Sequence, residues 1–547
     1  MIRTDIVKMY KDIHTWVGIV SGLCLFIAFY AGALTMFEGP LQRWASAPVD
    51  LPAPVAMDAA DELVAASLAE HPEMARGWRV HVETGPEAPA RVSWDVGGSR
   101  RTGPDAVYGT GFDGDGNLVT AELHASPVAQ LIDTLHQQVG LPLDHEIAMP
   151  IMGGISLLYA IALVSGVIII LPSLMKDMFN LRLGKNLKRM WLDVHNALGI
   201  FSLPFHIVMA LTAVVFAFHD QIYDIQGEAF YEGGIEAQWA QDVHEDPDVA
   251  PGTPLAAPSQ VVARMGEQAP GFRVLTLQYA RDRDGYMGGR VMGQDVRHGM
   301  RAPTYGIAEF DPYTGDFTGF DYLPGQQPFW EGVVTSFFAL HFGNFGGEPV
   351  RWGYFVFGLA GAFLFYSGNL IWIEARRKRL TKRHGERPQP RSTRVLGALT
   401  VGVALGSIAG MSLTLAAAKW MAGLVDDLEA AHTWIYYLTF LAAIGWAFWR
   451  GAAHGGADLL WLCAVTTLLI PLTSLFGWLL GDAGPWNWSG PVLLVDAVAL
   501  AGAVCFAAFA RMTRHRALTG PADSVWSAKA LKPLENEGEV SGETRPV

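Results

Sequence analysis

A chain of 547 residues that is 51% hydrophobic and only 17% charged is too long for one small domain and points to a membrane. Its formal net charge of −14 argues against nucleic acid as a partner. The three cysteines, Cys24, Cys463 and Cys505, all fall inside long apolar runs, so an extramembrane disulfide is excluded, and neither C-x-x-C nor C-x-x-C-H spacing occurs.

About 20 residues of helix cross a ~30 Å hydrocarbon core. Eight apolar runs reach that length, at 15–37, 148–171, 192–217, 352–373, 394–418, 431–449, 457–480 and 490–511. The first is expected to stay as a span, because its apolar stretch exceeds the ~7–15 residues of a cleaved signal. With the N-terminus inside, 24 of the 39 Lys and Arg fall on the inner side and 40 of the 53 Asp and Glu on the outer. RLGKNLKRM and ARRKRLTKRHGERPQPR are short basic loops of the kind that stays inside, so both termini are expected there.

Taken in order, the elements repeat. DIHTWVGIV (12–20) opens the first run and DVHNALGIF (193–201) the third, with Asp, His, Gly and Ile in register. Each of these spans is followed by an outer segment, 38–147 or 218–351. Each outer segment holds a helix-like stretch (61–71, 259–269) and strand-like runs (78–83 and 90–96; 272–280 and 304–310), then a turn, FDGDGNLV or FDPYTGDF. Gly with Asn or Asp suits a hairpin there. A semi-apolar stretch ending in Leu-His comes next, VAQLIDTLHQQVG or VVTSFFALHFGNFGG, and then a span carrying Ser-Gly, LVSGVIII or FYSGNLIW.

The expected organisation is a first span (1–37), a first α+β outer domain (38–147) and two spans joined by an inner loop (148–217). A second α+β outer domain (218–351), a fourth span (352–373) and a basic inner linker (374–393) follow. Four further spans (394–511) and a disordered inner tail (512–547) complete the chain. The fold class is an α-helical polytopic membrane protein of about eight spans carrying two small α+β domains outside.

The combination of LHxxxG-like motifs (here IHTWVG and VHNALG), a DPxTG-like turn and LHFGNFGG, all within a duplicated unit, resembles the PepSY-associated transmembrane family over about residues 5–380. That family includes bacterial inner-membrane iron-regulated proteins and haem-bearing ferric-siderophore reductases. The resemblance implies PepSY-like periplasmic domains, bound haem b and electron transfer to a ferric chelate. The family's leading Leu is Ile13 or Val194 here, which keeps an apolar neighbour for the histidine.

Topology places His14 and His195 near the inner face, and His136 and His341 near the outer one. Two equivalent imidazoles converging on a bundle axis suit a bis-His b-type haem, one pair for each of two haems. His206 lies 11 residues beyond His195, about 20° from the same helix face and ~16 Å further along. An ionisable residue at membrane depth is a functional candidate, so His206 is an alternative outer ligand to His136 or a hydrogen-bonded core residue. The electron donor would be a quinol or a separate cytoplasmic reductase, because no flavin or nicotinamide fingerprint is present. GTGFDG (109–114) opens no helix, and FDGDGN lacks the later Glu of a calcium loop. Asp496, inside an apolar run, reads as a proton relay, a quinol contact or a hydrogen-bonded packing residue. WRGAAHGGAD and GPWNWSG read as loops. The competing reading is a non-enzymatic membrane sensor, assembly factor or peptidase regulator whose outer domains bind a protein, with structural histidines. A transporter built on the four added spans ranks lower, since they offer few ligands.

Overall fold

The computed structural model describes residues 4–85, 88–97, 106–123, 125–174, 186–230, 253–281, 285–422, 424–425, 427–481 and 490–529. The loop RLGKNL, the GPWNW stretch and the last 18 residues fall wholly or mostly outside these.

The membrane part is helical. It comprises α1 (Thr4–Thr35), α5 (His145–Ile170), α6 (Leu187–Phe201), α7 (Leu203–Ala217), α11 (Glu348–His384), α12 (Arg391–Met421), α13 (Leu428–Leu479) and α14 (Gly490–Thr519). Shorter helices are α2 (Glu38–Ala45), α3 (Ala60–Glu70), α4 (Val128–Gln137), α8 (His219–Phe230), α9 (Pro258–Gln268) and α10 (Phe329–Phe342). Among the described residues six helices are long and apolar enough to cross a membrane, or seven if the pair α6–α7 counts as one span. That pair is bent by 71°, where the sequence suggests one straight helix. Pro204 lacks the amide hydrogen a continuous helix would use, and the break falls at Ser202 beside it.

The run 428–479 also departs from expectation. WRGAAHGGAD is helical rather than looped, apart from Gly451 at φ 72°, ψ 162°. This left-handed φ is one that glycine adopts without steric cost. The chain doubles back there: Trp446 and Arg450 both donate to the Asp458 carboxylate at 3.1 Å. A straight helix would hold 446 and 458 about 18 Å apart. Further corrections concern the basic linker and the tail. Helix α11 runs through to His384 and absorbs half of the 374–393 segment. The start of the tail is also packed. Asp523 and Ser524 are buried, with Asp523 accepting from Arg377 at 2.9 Å and from Thr381 at 2.6 Å.

The two outer segments form one sheet rather than two separate domains. Strands β1 (Gly77–His81), β2 (Val92–Val96), β3 (Ala106–Phe112), β4 (Leu118–Glu122), β5 (Arg273–Arg281), β6 (Met287–Gln294), β7 (Gly306–Phe310) and β8 (Phe317–Gly319) run in the order β4-β3-β2-β1-β5-β6-β7-β8, all pairs antiparallel. Each half is a meander, and the two meet edge to edge where β1 pairs with β5, Trp78 opposite Tyr279. Pairing removes the exposed edge each half would otherwise present. Helices α3 and α9 cover one face, with Leu63, Val261 and Met265 packed on Trp78, Trp94, Leu277 and Val291. The turns fall as read: Asp113 accepts from the Asp115 and Asn117 amides, and Asp311 does the same for Tyr313.

A second apolar cluster ties the two helical groups together. Leu41 and Trp44 of α2 and Ile132 and Leu135 of α4 pack against Met411, Tyr436, Ile470 and Ala499 of α12, α13 and α14.

Candidate functional site

The duplicated motif puts His14 on α1 and His195 on α6, and packing brings the two rings to 6.2 Å between centroids. The Leu-His motif puts His136 on α4 and His341 on α10, with ring centroids 6.0 Å apart. Both pairings are those read from the repeat. Sequence separation gives no reason for them. They arise because each half builds the same packing and the halves face each other.

The hydrogen bonds fix which nitrogen is free. The Nδ1 of His14 is 2.8 Å from the Ala162 carbonyl, and that of His136 is 2.8 Å from the Ala28 carbonyl. A carbonyl only accepts, so Nδ1 carries the hydrogen in both. The His195 Nδ1 meets Ser367 Oγ at 3.0 Å, and this hydroxyl already donates to the Leu364 carbonyl. The His341 Nδ1 meets Thr212 Oγ1 at 2.8 Å, and that hydroxyl donates to the Val208 carbonyl. A hydroxyl that gives its one hydrogen to that carbonyl accepts from the imidazole. His14 and His136 therefore present an Nε2 lone pair, and His195 and His341 do so when their hydroxyl partners accept, the tautomer a metal-bound histidine has when its other nitrogen donates to the protein.

The repeat is visible in this second layer. His14 lies against Ser165, at 3.4 Å, and His195 against Ser367. These are the serines of the two Ser-Gly pairs, so the span that follows each outer segment supports the histidine that precedes it. Small residues keep the rings close. A Cβ on Gly32 would sit 2.7 Å from the His136 Nδ1, and one on Gly166 would sit 3.1 Å from the His14 Cε1. Gly32 thus has no room for any side chain unless His136 moves.

His206, on the first turn of α7, is 1% exposed. Its Nδ1 is 2.7 Å from the Tyr159 hydroxyl, which also lies 3.1 Å from the His206 carbonyl and can donate to either. Its Nε2 is buried with no hydrogen-bond partner. The ring contacts of His206 are with Phe29, Tyr159 and Phe205, and with none of the four paired histidines. The bend at Ser202 removes the shared face that helical arithmetic assigns to His195 and His206. His219 is largely exposed and pairs with Asp220, a polar helix end.

Among the described residues no group of three or more His, Cys, Asp or Glu could hold a bare metal ion, which usually wants about four protein ligands. A porphyrin brings four nitrogens of its own and asks the protein for two. Two imidazoles bound to one metal through Nε2 at about 2.0–2.1 Å would have centroids about 6.3 Å apart, against the 6.2 and 6.0 Å found. Each ring plane would contain the metal–nitrogen axis at any rotation about it, so interplanar angles of 80° and 40° are both compatible. A cavity of about 500 Å³ beside the outer pair is lined by His136, His341, Tyr159, Met209, Gly32 and Arg351. It is apolar with few charged groups, as cofactor pockets usually are. The residues present fit the group.

Tyr159, Thr212 and Gly32 were not evident in the sequence as parts of this site. The Ser-Gly repeat was the one available signal for the supporting layer. No curated protein matches the chain. The family model described as PepSY-associated TM region matches residues 12–375, the span that holds both histidine pairs and the outer sheet, and the chain belongs to that family.

Proposed function

We propose that this protein is an electron carrier of the bacterial inner membrane that holds two b-type haems, one between His14 and His195 and one between His136 and His341. The observation that carries the reading is the set of four part-buried imidazoles, paired at ligand spacing by a duplicated fold, each engaging the protein through Nδ1. Haem, when bound, supplies reversible one-electron chemistry at iron. The chain's residues do the rest. Ala162, Ser367, Ala28 and Thr212 orient the imidazoles through Nδ1, and such supporting contacts raise ligand basicity. Apolar helix faces exclude water. His206 stands as the alternative outer ligand or as a polar core residue hydrogen-bonded to Tyr159.

With α13 divided at Gly451 and α6–α7 taken as one crossing, the spans number eight, both termini lie in the cytoplasm and the eight-stranded sheet is periplasmic. The basic inner loops support this orientation. The sheet's two halves are the PepSY-like domains. The acceptor is a ferric chelate such as a ferric siderophore. Adding one electron to Fe(III) weakens hard-oxygen chelation, and Fe(II) ranks low among divalent metals. The donor is a quinol or a separate cytoplasmic reductase, since the chain has no fingerprint for a hydride carrier.

The test is a reduced-minus-oxidised visible spectrum of detergent-purified protein with pyridine haemochrome quantitation. About two b haems per chain, with His14→Ala and His341→Ala each removing one spectral component, is the expected result. A colourless protein from haem-sufficient cells would sink the reading and favour a sensor or assembly role.

A further inference from the structure

The sheet face opposite α3 and α9 carries a second cavity, of about 400 Å³, walled by Arg290 and Glu309 of the sheet, Arg301 and Tyr322 of its loops, and Phe338 and Phe342 of α10. Arg290 pairs with Glu309 at 3.2 Å, so their charges offset. Arg301 is different. Its guanidinium lies 3.3 Å from the centre of the Phe338 ring and 5.5 Å from that of Tyr322. Its Nε is buried with no hydrogen-bond partner, and among the described residues it forms no ion pair. Stacking on aromatic faces satisfies the guanidinium face but leaves its in-plane donors free. A buried donor left without a partner is costly, so its retention in a cavity wall points to an external acceptor.

The loop that carries Arg301 is pinned by the LHFGNFGG motif. The Asn344 side chain accepts from the Met300 amide at 3.1 Å and donates to the Met300 and Ala302 carbonyls at 2.8 and 2.7 Å. This brackets Arg301 on both sides and fixes it over α10. The cavity is also one ring away from the outer histidine pair. Phe338 lies 4.6 Å from Phe216, which lies 4.9 Å from His341, and Phe342 lies 5.8 Å from His341.

We propose that this cavity binds an anionic aromatic chelate whose ligand oxygens are received by Arg301 and whose ring stacks against Tyr322 and Phe342. A catecholate complex has that chemistry: charged oxygens in a planar fork, which suits a guanidinium, on a ring that suits an aromatic wall. A neutral hydroxamate complex has neither. The choice of a metal chelate rests on the electron-transfer reading above. The site's preference for an aromatic anion rests on its own residues.

Full-length protein in detergent is titrated by calorimetry with the gallium(III) complex of 2,3-dihydroxybenzoate, which cannot be reduced in place of iron, and with neutral gallium(III) acetohydroxamate. The catecholate is expected to bind at least about tenfold more tightly than the hydroxamate. Arg301→Gln should erase that preference, since a charge-assisted hydrogen bond is worth about tenfold or more, and Arg301→Lys should restore part of it. Glu309→Gln frees the Arg290 charge and should tighten binding several-fold, a gain that misfolding cannot mimic. Equal binding of the two complexes, or catecholate binding indifferent to both R301Q and E309Q, overturns the proposal. The two readings fail separately. A colourless protein that still binds the catecholate through Arg301 loses the haem and keeps the site, whereas a pigmented protein that does not bind it loses the site alone.

Discussion

The duplicated part and the helices appended to it both bury polar side chains among apolar ones, but they satisfy them differently. In α1–α11 the paired histidines each use one nitrogen on the protein and leave the other free. In α12–α14 one polar cluster is spent on itself, although His432 of α13 is fully buried with no hydrogen-bond partner on either ring nitrogen. Asp496 accepts from the Trp44 indole at 2.8 Å and from Ser474 at 2.9 Å, and Lys419 donates to Ser474 at 2.8 Å while lying 3.8 Å from the Trp44 ring centre. A buried polar network satisfied internally fixes how elements pack, and this one joins α2 to three appended helices. The difference teaches that neither burial nor a free ring nitrogen alone marks a ligand, since His432 has both; the pairing of two such rings does. On this evidence Asp496 is a packing residue.

The largest expected effect breaks the first half of that contrast. Gly32→Val places a side chain where the His136 ring lies, so the outer pair cannot form. The spectrum should lose one component while the inner pair's component stays. If both components persist, the outer haem is not held by His136. Next in size is Lys419→Met, which removes the cation from the buried cluster and should cost about 3–5 kcal/mol. A lower melting temperature with an unchanged spectrum per folded chain is expected, and Lys419→Met with Asp496→Leu should recover much of the loss. Bleaching by the single change would show that the appended helices serve the haems directly.

A third prediction concerns the joint between the halves of the sheet. His81 sits on β1 opposite Thr276 of β5, with its Nε2 2.8 Å from Ser93 Oγ. Burial, and then the Arg79 and Arg91 charges, pushes its pKa down from 6.5 to about 4. A depressed folded-state value means the unfolded chain takes up the proton first. Stability is therefore complete above about pH 6.5 and falls as the pH drops toward 4, by about 2 kcal/mol at pH 5. His81→Asn should flatten the dependence of melting temperature on pH over that range. A slope as steep as the wild type's would assign it to other groups.

How much of this was legible in the sequence follows from the strength of each local signal. The apolar helices and the histidine pairs could be read because apolar length and a repeated motif survive without knowledge of packing. The glycine-rich β6 could not. Gly is depleted in strands, and its use here becomes intelligible only when a Cβ on Gly289 is seen to fall 2.6 Å from the Phe310 ring. The union of the two halves into one sheet was equally hidden, since edge pairing between β1 and β5 joins segments about 190 residues apart and leaves no local mark. His206 misled because helical arithmetic assumes a straight helix, and Pro204 was present to warn against it.

The smallest prediction compares the two repeats at their most similar point. Ser367 is the hydrogen-bond partner of the His195 Nδ1, whereas the His14 Nδ1 has the Ala162 carbonyl at 2.8 Å and Ser165 only at 3.4 Å. Ser367→Ala should therefore leave the His195 ring without its orienting partner and weaken haem retention at the inner pair about tenfold, the low end for a lost supporting contact. Ser165→Ala removes a contact that the backbone already supplies and should change retention less than twofold. Transfer of haem to apomyoglobin, followed at the Soret band, measures both. Equal losses would mean that the serines act through the packing of α5 and α11 rather than through the imidazoles, and the symmetry of the two Ser-Gly pairs would then be a property of the fold and not of the site.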